Sequence, residues 1–244
     1  MRSSLHAASV LIAPLLLGAS ATATATPSAS APAAAASCNP ATLNTTTYLY
    51  PVTTAGTTIF DIANATGRGV CDIGRQNLMA DVTITPNVGQ EILIPPQTCT
   101  PDNESCLLPN TNTTNTCIVG GPRLYYTVNG DTYALIAQRL NNAVDSLMSM
   151  VLADEAAGQD EELEAGKFVK VPLCEPSHCT ITPYEFSWGV YQDLAERFGT
   201  TVGQIMMLSP TYNYSSQAFA PGGKFPPISI LTNCSIGQKV TVLD

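Results

Sequence analysis

An internal repeat constrains the fold of this chain more than any other feature of its sequence. Three segments, residues 50–95, 126–172 and 184–208, present the same features in the same order. Each begins with a short strand-like stretch and continues through a glycine-containing turn into two apolar stripes, and the first two copies close on a second alternating stretch that ends in proline. A repeat of this length indicates one small structural unit used three times.

The second copy shows how the pattern specifies local structure. Residues 126–128 alternate as a short strand, Gly130 turns the chain, and Asp131 or Thr132 can cap the free amides of a helix start. Apolar residues three and four positions apart then predict two short helices, and residues 168–171 predict a closing strand. The sequence therefore predicts an α+β fold in which three small βααβ modules pack into one disulfide-stapled body.

Eight cysteines surround the three copies, and their even number predicts disulfides. If the two strands of a copy pair antiparallel, cysteines just outside them meet, and each such bond stabilises the fold by roughly 3 to 4 kcal/mol. This argument predicts Cys117 with Cys174 and Cys179 with Cys234. The cysteines of the first copy allow three connectivities, and the pairs we favour are Cys38 with Cys106 and Cys71 with Cys99.

The N-terminal region has the features of an export signal. Residues 1–21 combine a basic start, an apolar run and small residues at the cleavage point, which predicts a signal peptide. Residues 22–37 are almost entirely Ala, Thr, Ser and Pro, which predicts a disordered leader. We expect a secreted, extracellular protein without a membrane span. The expected modules are 38–106, 107–174 and 175–244, with linkers at 99–117 and 174–179.

The composition argues against several functional classes. A net charge of −9 does not favour nucleic acid or an anionic membrane as a partner, since both need clustered cations. Beyond the signal peptide His178 is the single histidine, and no Cys-x-x-Cys pair occurs, so neither a hydrolytic triad nor a zinc site is expected. The acidic residues 154–164 are typical of a solvated loop, not of a paired-carboxylate cleft. We expect no cofactor, no metal and no catalysis.

Short motifs within the copies resemble a known domain. Tyr-x-Val, Gly-Asp-Thr and Ile-Ala in residues 126–137, and Gly-Gln-x-x-x-x-Pro in residues 89–95, resemble the LysM domain. Together with the signal peptide and eight cysteines, the layout resembles the secreted LysM effectors of fungi. This implies non-catalytic binding of chitin or N-acetylglucosamine oligomers, which hides them from host immune receptors or shields the fungal wall from chitinases. It also allows ligand-bridged self-association. Peptidoglycan binding and a cysteine-rich structural surface protein are the alternatives.

The resemblance places ligand contacts on the turn after the first strand and on the loop after the second helix. Main chain at a glycine turn can approach a ligand closely. The third copy departs from the motif, and its closing strand is either 225–231 or 237–242. We expect Tyr191 and Tyr212 to offer aromatic faces for clamping one chitin chain between the first and third modules. The implied contacts are Gly56, Thr57, Thr58, Ile59, Asn77, Leu78 and Met79; Gly130, Asp131, Thr132, Tyr133, Leu152, Ala153 and Asp154; and Gly189, Val190, Tyr191, Pro210, Thr211 and Tyr212.

Overall fold

The computed structural model describes residues 38–110, 113–151, 157–209 and 226–243. Within them the order strand, helix, helix, strand occurs three times, in what we call the first, second and third units. The first unit contains β1 (Tyr48–Pro51), α1 (Ile59–Thr66), α2 (Val70–Gln76) and β2 (Glu91–Ile94). The second contains β3 (Leu124–Tyr126), α3 (Tyr133–Arg139), α4 (Val144–Met148) and β4 (Phe168–Lys170). The third contains β5 (Leu173–Tyr184), α5 (Tyr191–Phe198), α6 (Val202–Leu208) and β6 (Ile228–Leu243). A short 3-10 helix, Pro40–Thr42, precedes β1.

Threonine side chains fix the starts of the first helices. The Thr58 hydroxyl accepts the N–H of Asp61 and the Asp61 carboxylate accepts the N–H of Thr58, which satisfies two amides that the helix itself leaves open. In the second unit Thr132, one of the two predicted caps, accepts the N–H of Leu135 at 3.1 Å. Each helix therefore begins directly after its glycine turn.

Each unit closes on a two-stranded antiparallel sheet: β1 with β2, β3 with β4, and β5 with β6. The third sheet is much longer than the others. Strand β6 runs through 228–231 and 237–242, so the two stretches considered for the closing strand belong to one strand, while Phe225 lies outside the described residues. The expected linker at 174–179 is wrong: these residues lie in β5, because β6 continues past Cys234 and supplies them with pairing partners.

Four disulfides join the eight cysteines. The predicted bonds Cys117–Cys174 and Cys179–Cys234 are confirmed. The favoured pairing of the first unit, Cys38 with Cys106 and Cys71 with Cys99, is wrong, since the bonds are Cys38–Cys99 and Cys71–Cys106. Cys38 and Cys99 flank β1 and β2, so antiparallel pairing brings them together as in the other units. Cys106 reaches α2 because the preceding loop packs on its start, where the Asp102 carbonyl accepts the Cys71 N–H at 2.9 Å.

Two buried apolar clusters form the core, and each crosses a boundary between units. One consists of residues from the first unit and its following loop together with Val190 of the third unit. The other consists of residues from the second and third units together with Leu78, Ala80 and Ile84, which follow α2 of the first unit. Cys38–Asp244 accordingly forms one compact unit.

The predicted signal peptide and leader, residues 1–37, lie outside the described residues. Among the helices that are described, none is long and apolar enough to cross a bilayer.

Candidate ligand-binding site

The turn that opens α1 in the first unit lies at the surface. Gly56 has a φ of +80°, a backbone conformation that favours glycine, and apart from Gly56 and its two chain neighbours no described residue has an atom within 4 Å of where its Cβ would be. Thr57 and Thr58 are half-buried. Ile59, the first residue of α1, is fully buried and anchors the turn to the core. Main chain at Gly56 is therefore held in place and open to a ligand.

The loop after α2 is buried, in contrast to that turn. Asn77 uses its carboxamide within the protein: Nδ2 donates to the carbonyls of Ile73 (2.8 Å) and Leu93 (2.7 Å), and Oδ1 accepts the Leu93 N–H. Leu78 and Met79 are also buried. Asn77 thus ties β2 to α2, and the side chains of residues 77–79 face the protein interior.

An ion-pair network fills the equivalent turn of the second unit. Asp131 is fully buried, with its Oδ2 accepting the Val128 N–H at 2.8 Å and its Oδ1 bound by Nη1 of Arg139. Arg139 is itself buried and binds Asp81 of the first unit through Nε at 2.7 Å. The Arg139 guanidinium therefore links two units, and the Asp131 carboxylate is occupied within the protein.

The loop before β4 covers the same turn from outside. The Glu162 carboxylate accepts the N–H of Gly130 at 3.1 Å, and the Asp131 carbonyl accepts the N–H of Leu163 at 2.7 Å. Residues 159–163 belong to the acidic stretch expected to be a solvated loop. Their side chains are largely exposed, yet the Glu162 carboxylate and the Leu163 N–H both bind the turn. Thr132 is half-buried as the cap of α3, and Tyr133 is buried.

The turn of the third unit packs against the first unit. The Gly189 N–H donates to the Arg75 carbonyl (3.3 Å) and the Tyr191 N–H donates to the Met79 carbonyl (3.2 Å). Val190 enters the core of the first unit, and the fully buried Tyr191 ring contacts Phe186, with ring centroids 5.6 Å apart. The aromatic face expected at Tyr191 is therefore not exposed. Leu152, Ala153, Asp154, Pro210, Thr211 and Tyr212 lie outside the described residues.

A second arginine, which the sequence did not single out, joins the first and third units at the surface. Arg75, in the last turn of α2, donates to both oxygens of Asp193 (3.0 and 2.8 Å), to Asp102 (2.7 Å) and to Ser105 (2.9 Å). Its guanidinium carbon lies 5.6 Å from the ring centroid of Trp188, which is 64% exposed. The sequence does mark Trp188, because it is the only tryptophan and directly precedes the glycine of the third turn.

The two arginine networks differ electrostatically. Hydrogen bonding to Asp193, supported by Asp102, raises the pKa of Arg75 above its ordinary value. Burial alone would raise the pKa of Asp102, but hydrogen bonds from Ser105 and Arg75 outweigh it and hold that pKa below its usual range. In the buried network desolvation raises the pKa of Asp131, and attraction to Arg139 opposes this rise only in part.

Cavities elsewhere in the molecule do not coincide with the predicted contacts. A groove of about 460 Å³ is lined by residues that include Cys117, Leu140, Gln204, Cys234 and Val240, and none of the twenty predicted ligand contacts is among its described lining. The described residues also contain no cluster of His, Cys, Asp or Glu that could hold a metal ion. Among the predicted contacts that lie in the described residues, Gly56 is the one that is exposed, so its turn is the most open to a ligand.

Comparison with known proteins gives the family. No family model matches the chain. The chain is 42% identical over 201 residues to the secreted LysM effector LysM13 of Penicillium expansum, an alignment that covers 82% of this chain and 84% of that protein. It is 33% identical to the secreted LysM effector ECP6 of Passalora fulva, covering 66% of this chain and 69% of that protein. It is 37% identical to the secreted LysM effector ELP2 of Colletotrichum higginsianum, covering 49% and 64%. Since the first of these alignments covers most of both proteins, the chain belongs to the secreted LysM effectors of fungi.

Proposed function

We propose that this protein binds chitin, or oligomers of its sugar N-acetylglucosamine, without catalysis. The three units would each be a LysM module, with boundaries near 38–106, 107–174 and 175–244. Membership of the secreted LysM effectors supports this proposal. By sequestering the oligomers, the protein would hide them from host immune receptors or shield the fungal wall from chitinases.

The observation that carries the proposal is the contrast between the three predicted turns. Gly56 is exposed and its main chain is open, whereas the Gly130 N–H is bound by Glu162 and the buried Gly189 donates its N–H to the first unit. A chitin chain is neutral and extended, and its acetamide groups need backbone donors and acceptors. An open glycine turn supplies such groups, and the net charge of −9 does not oppose a neutral ligand.

The contact between the first and third units supports one composite site. Residues 77–79 and 189–191 are packed together, so the first unit and the connection between β5 and α5 are held in a fixed relation before a ligand arrives. We therefore expect one oligomer per protein. A single shallow contact would bind with a Kd near a micromolar, about −8 kcal/mol, and a site prepared across two units would bind more tightly because little ordering is needed.

Calorimetric titration with the hexamer of N-acetylglucosamine tests this proposal directly. We expect saturation at one hexamer per protein, together with retention on insoluble chitin but not on cellulose. Three equal weak sites would contradict the composite site. Failure to bind the hexamer and insoluble chitin would end the proposal, and selective retention on peptidoglycan would transfer it to that glycan.

A site at the surface also allows one long oligomer to bridge two proteins. We expect the hydrodynamic mass to remain that of a monomer with short oligomers and to double with oligomers long enough to reach two sites. Analytical ultracentrifugation across a series of oligomer lengths measures this change. An unchanged mass with the longest soluble oligomers would exclude bridging.

A further inference from the structure

Trp188 is a large apolar side chain that the fold leaves at the surface. It lies in the connection between β5 and α5 and is 64% exposed, while the neighbouring aromatic side chains Phe186 and Tyr191 are buried. An indole gains free energy when it is removed from water, as the rings of Phe186 and Tyr191 are. The fold leaves this gain unused at Trp188. An exposed aromatic beside a predicted binding turn is a candidate for ligand contact.

The indole is held by a fixed partner. The guanidinium carbon of Arg75 lies 5.6 Å from the ring centroid, within the range of a cation–π contact. Arg75 in turn has its orientation set by four hydrogen bonds to Asp193, Asp102 and Ser105. Asp193 also accepts the N–H of Val190 at 2.9 Å, two residues beyond the tryptophan. One side of the ring therefore rests on a braced cation, and the remainder meets solvent.

The order of the helices indicates that Trp188 and the open turn lie at the same end of the first unit. Helices α1 and α2 contact each other and are joined by three residues, 67–69, so they form a helical hairpin in which the start of α1 and the end of α2 share one end. The Gly56 turn leads into the start of α1, and Arg75 stands at the end of α2. Val190 and Gly74 pack together at the same end: a Cβ on Gly74 would come within 3.1 Å of Val190 Cγ1.

We propose that Trp188, braced by Arg75, is an aromatic subsite that stacks on one sugar ring of the N-acetylglucosamine oligomer. This inference rests on the proposed function and adds a contact from the third unit to the turn of the first. A β-linked sugar ring presents C–H groups on its faces, and these pack favourably on the electron-rich face of an indole. A tryptophan with only two rotatable side-chain bonds loses little conformational freedom when it binds.

The single tryptophan makes the subsite observable without a label. Titrating the secreted chain with the N-acetylglucosamine hexamer should shift its intrinsic emission to shorter wavelength as the ring leaves water, with the same midpoint as the calorimetric isotherm. Trp188→Ala should weaken the Kd about tenfold, and Trp188→Phe should retain most of the affinity. Phe168→Ala is the matched control, because Phe168 is 62% exposed on the sheet of the second unit and its loss should leave the Kd unchanged.

The outcomes separate this inference from the proposed function. Unchanged wild-type emission at calorimetric saturation, or wild-type affinity of the Trp188→Ala chain, would overturn the subsite while leaving chitin binding in place. Absence of hexamer binding by calorimetry and of retention on insoluble chitin would overturn both. The emission change is measured on the unaltered chain, so the test holds even if the alanine variant folds poorly.

Discussion

The turns of the first and second units have related sequences and opposite environments. Residues 56–58 read Gly-Thr-Thr and residues 130–132 read Gly-Asp-Thr, and in both the last threonine caps the following helix. The second turn matches the LysM motif better, yet the carboxylate that completes the match is buried against Arg139. The first turn, the poorer match, is the open one. Agreement with a motif therefore reports how a turn is built and does not report whether a ligand can reach it.

The largest expected effect distinguishes the two arginine networks. Arg139→Met leaves Asp81 and Asp131 buried without their cation, so we expect it to lower the free energy of unfolding by about 3–5 kcal/mol. Arg75→Met removes a partly exposed network and should cost about 1 kcal/mol. Chemical denaturation with the disulfides intact measures both. Equal losses of unfolding free energy in the two variants would mean that the networks stabilise the fold equally despite their difference in burial.

Substitutions at the open turn of the first unit should weaken ligand binding, and substitutions at the covered turn of the second unit should not. Thr57→Lys puts a long cation beside Gly56 and should weaken hexamer binding about tenfold, equivalent to about 1.4 kcal/mol, with little change in melting temperature. Asn129→Lys makes the same change beside Gly130, where the Asn129 side chain donates to Asn87 at the surface, and should leave the Kd unaltered. Calorimetry on both variants gives the comparison. A greater loss for Asn129→Lys would relocate the site to the second unit.

The helix caps should behave alike in both turns. Thr58→Ala and Thr132→Ala each remove the side chain that accepts an N–H at the start of a helix, and each should cost about 1 kcal/mol of unfolding free energy. Parallel denaturation curves provide the values. A difference of more than about twofold would show that burial changes the strength of the cap.

The smallest expected effect is a pH dependence at the exposed network. The pKa of Asp102 is lowered from 3.8, so its ionised form stabilises the fold above that pH, and the contribution is lost as the pH falls through the lowered pKa of the folded state. Asp102→Asn should reduce stability by less than about 1 kcal/mol near pH 5, with the difference from wild type disappearing in stronger acid. Melting temperatures of both proteins, measured from pH 5 down into stronger acid, test this prediction. A difference between variant and wild type that grows as the pH falls would contradict it.

The sequence determined the features that depend on neighbouring residues. Alternating and helical periodicity predicted the strands and helices of the first two units, and threonine after glycine predicted a helix start. In the third unit periodicity left two candidates for the closing strand, which belong to one strand, β6. The positions of cysteines outside paired strands predicted Cys117–Cys174 and Cys179–Cys234, and the same rule, applied consistently, would have given Cys38–Cys99 in place of Cys38–Cys106. These features follow from local geometry, which a sequence displays directly.

The tertiary structure decided which turn is open. Asp81 and Arg139 lie 58 positions apart in sequence, and Arg75 and Asp193 lie 118 apart, so no periodicity marks them as partners. The first contact holds Arg139 where it binds Asp131 of the second turn, which the loop before β4 covers from outside. The second fixes the third turn against the first unit and leaves Trp188 exposed. Burial depends on how separate units pack, because each surface is covered by residues remote in the chain. The local pattern that specifies a turn carries no information about that covering.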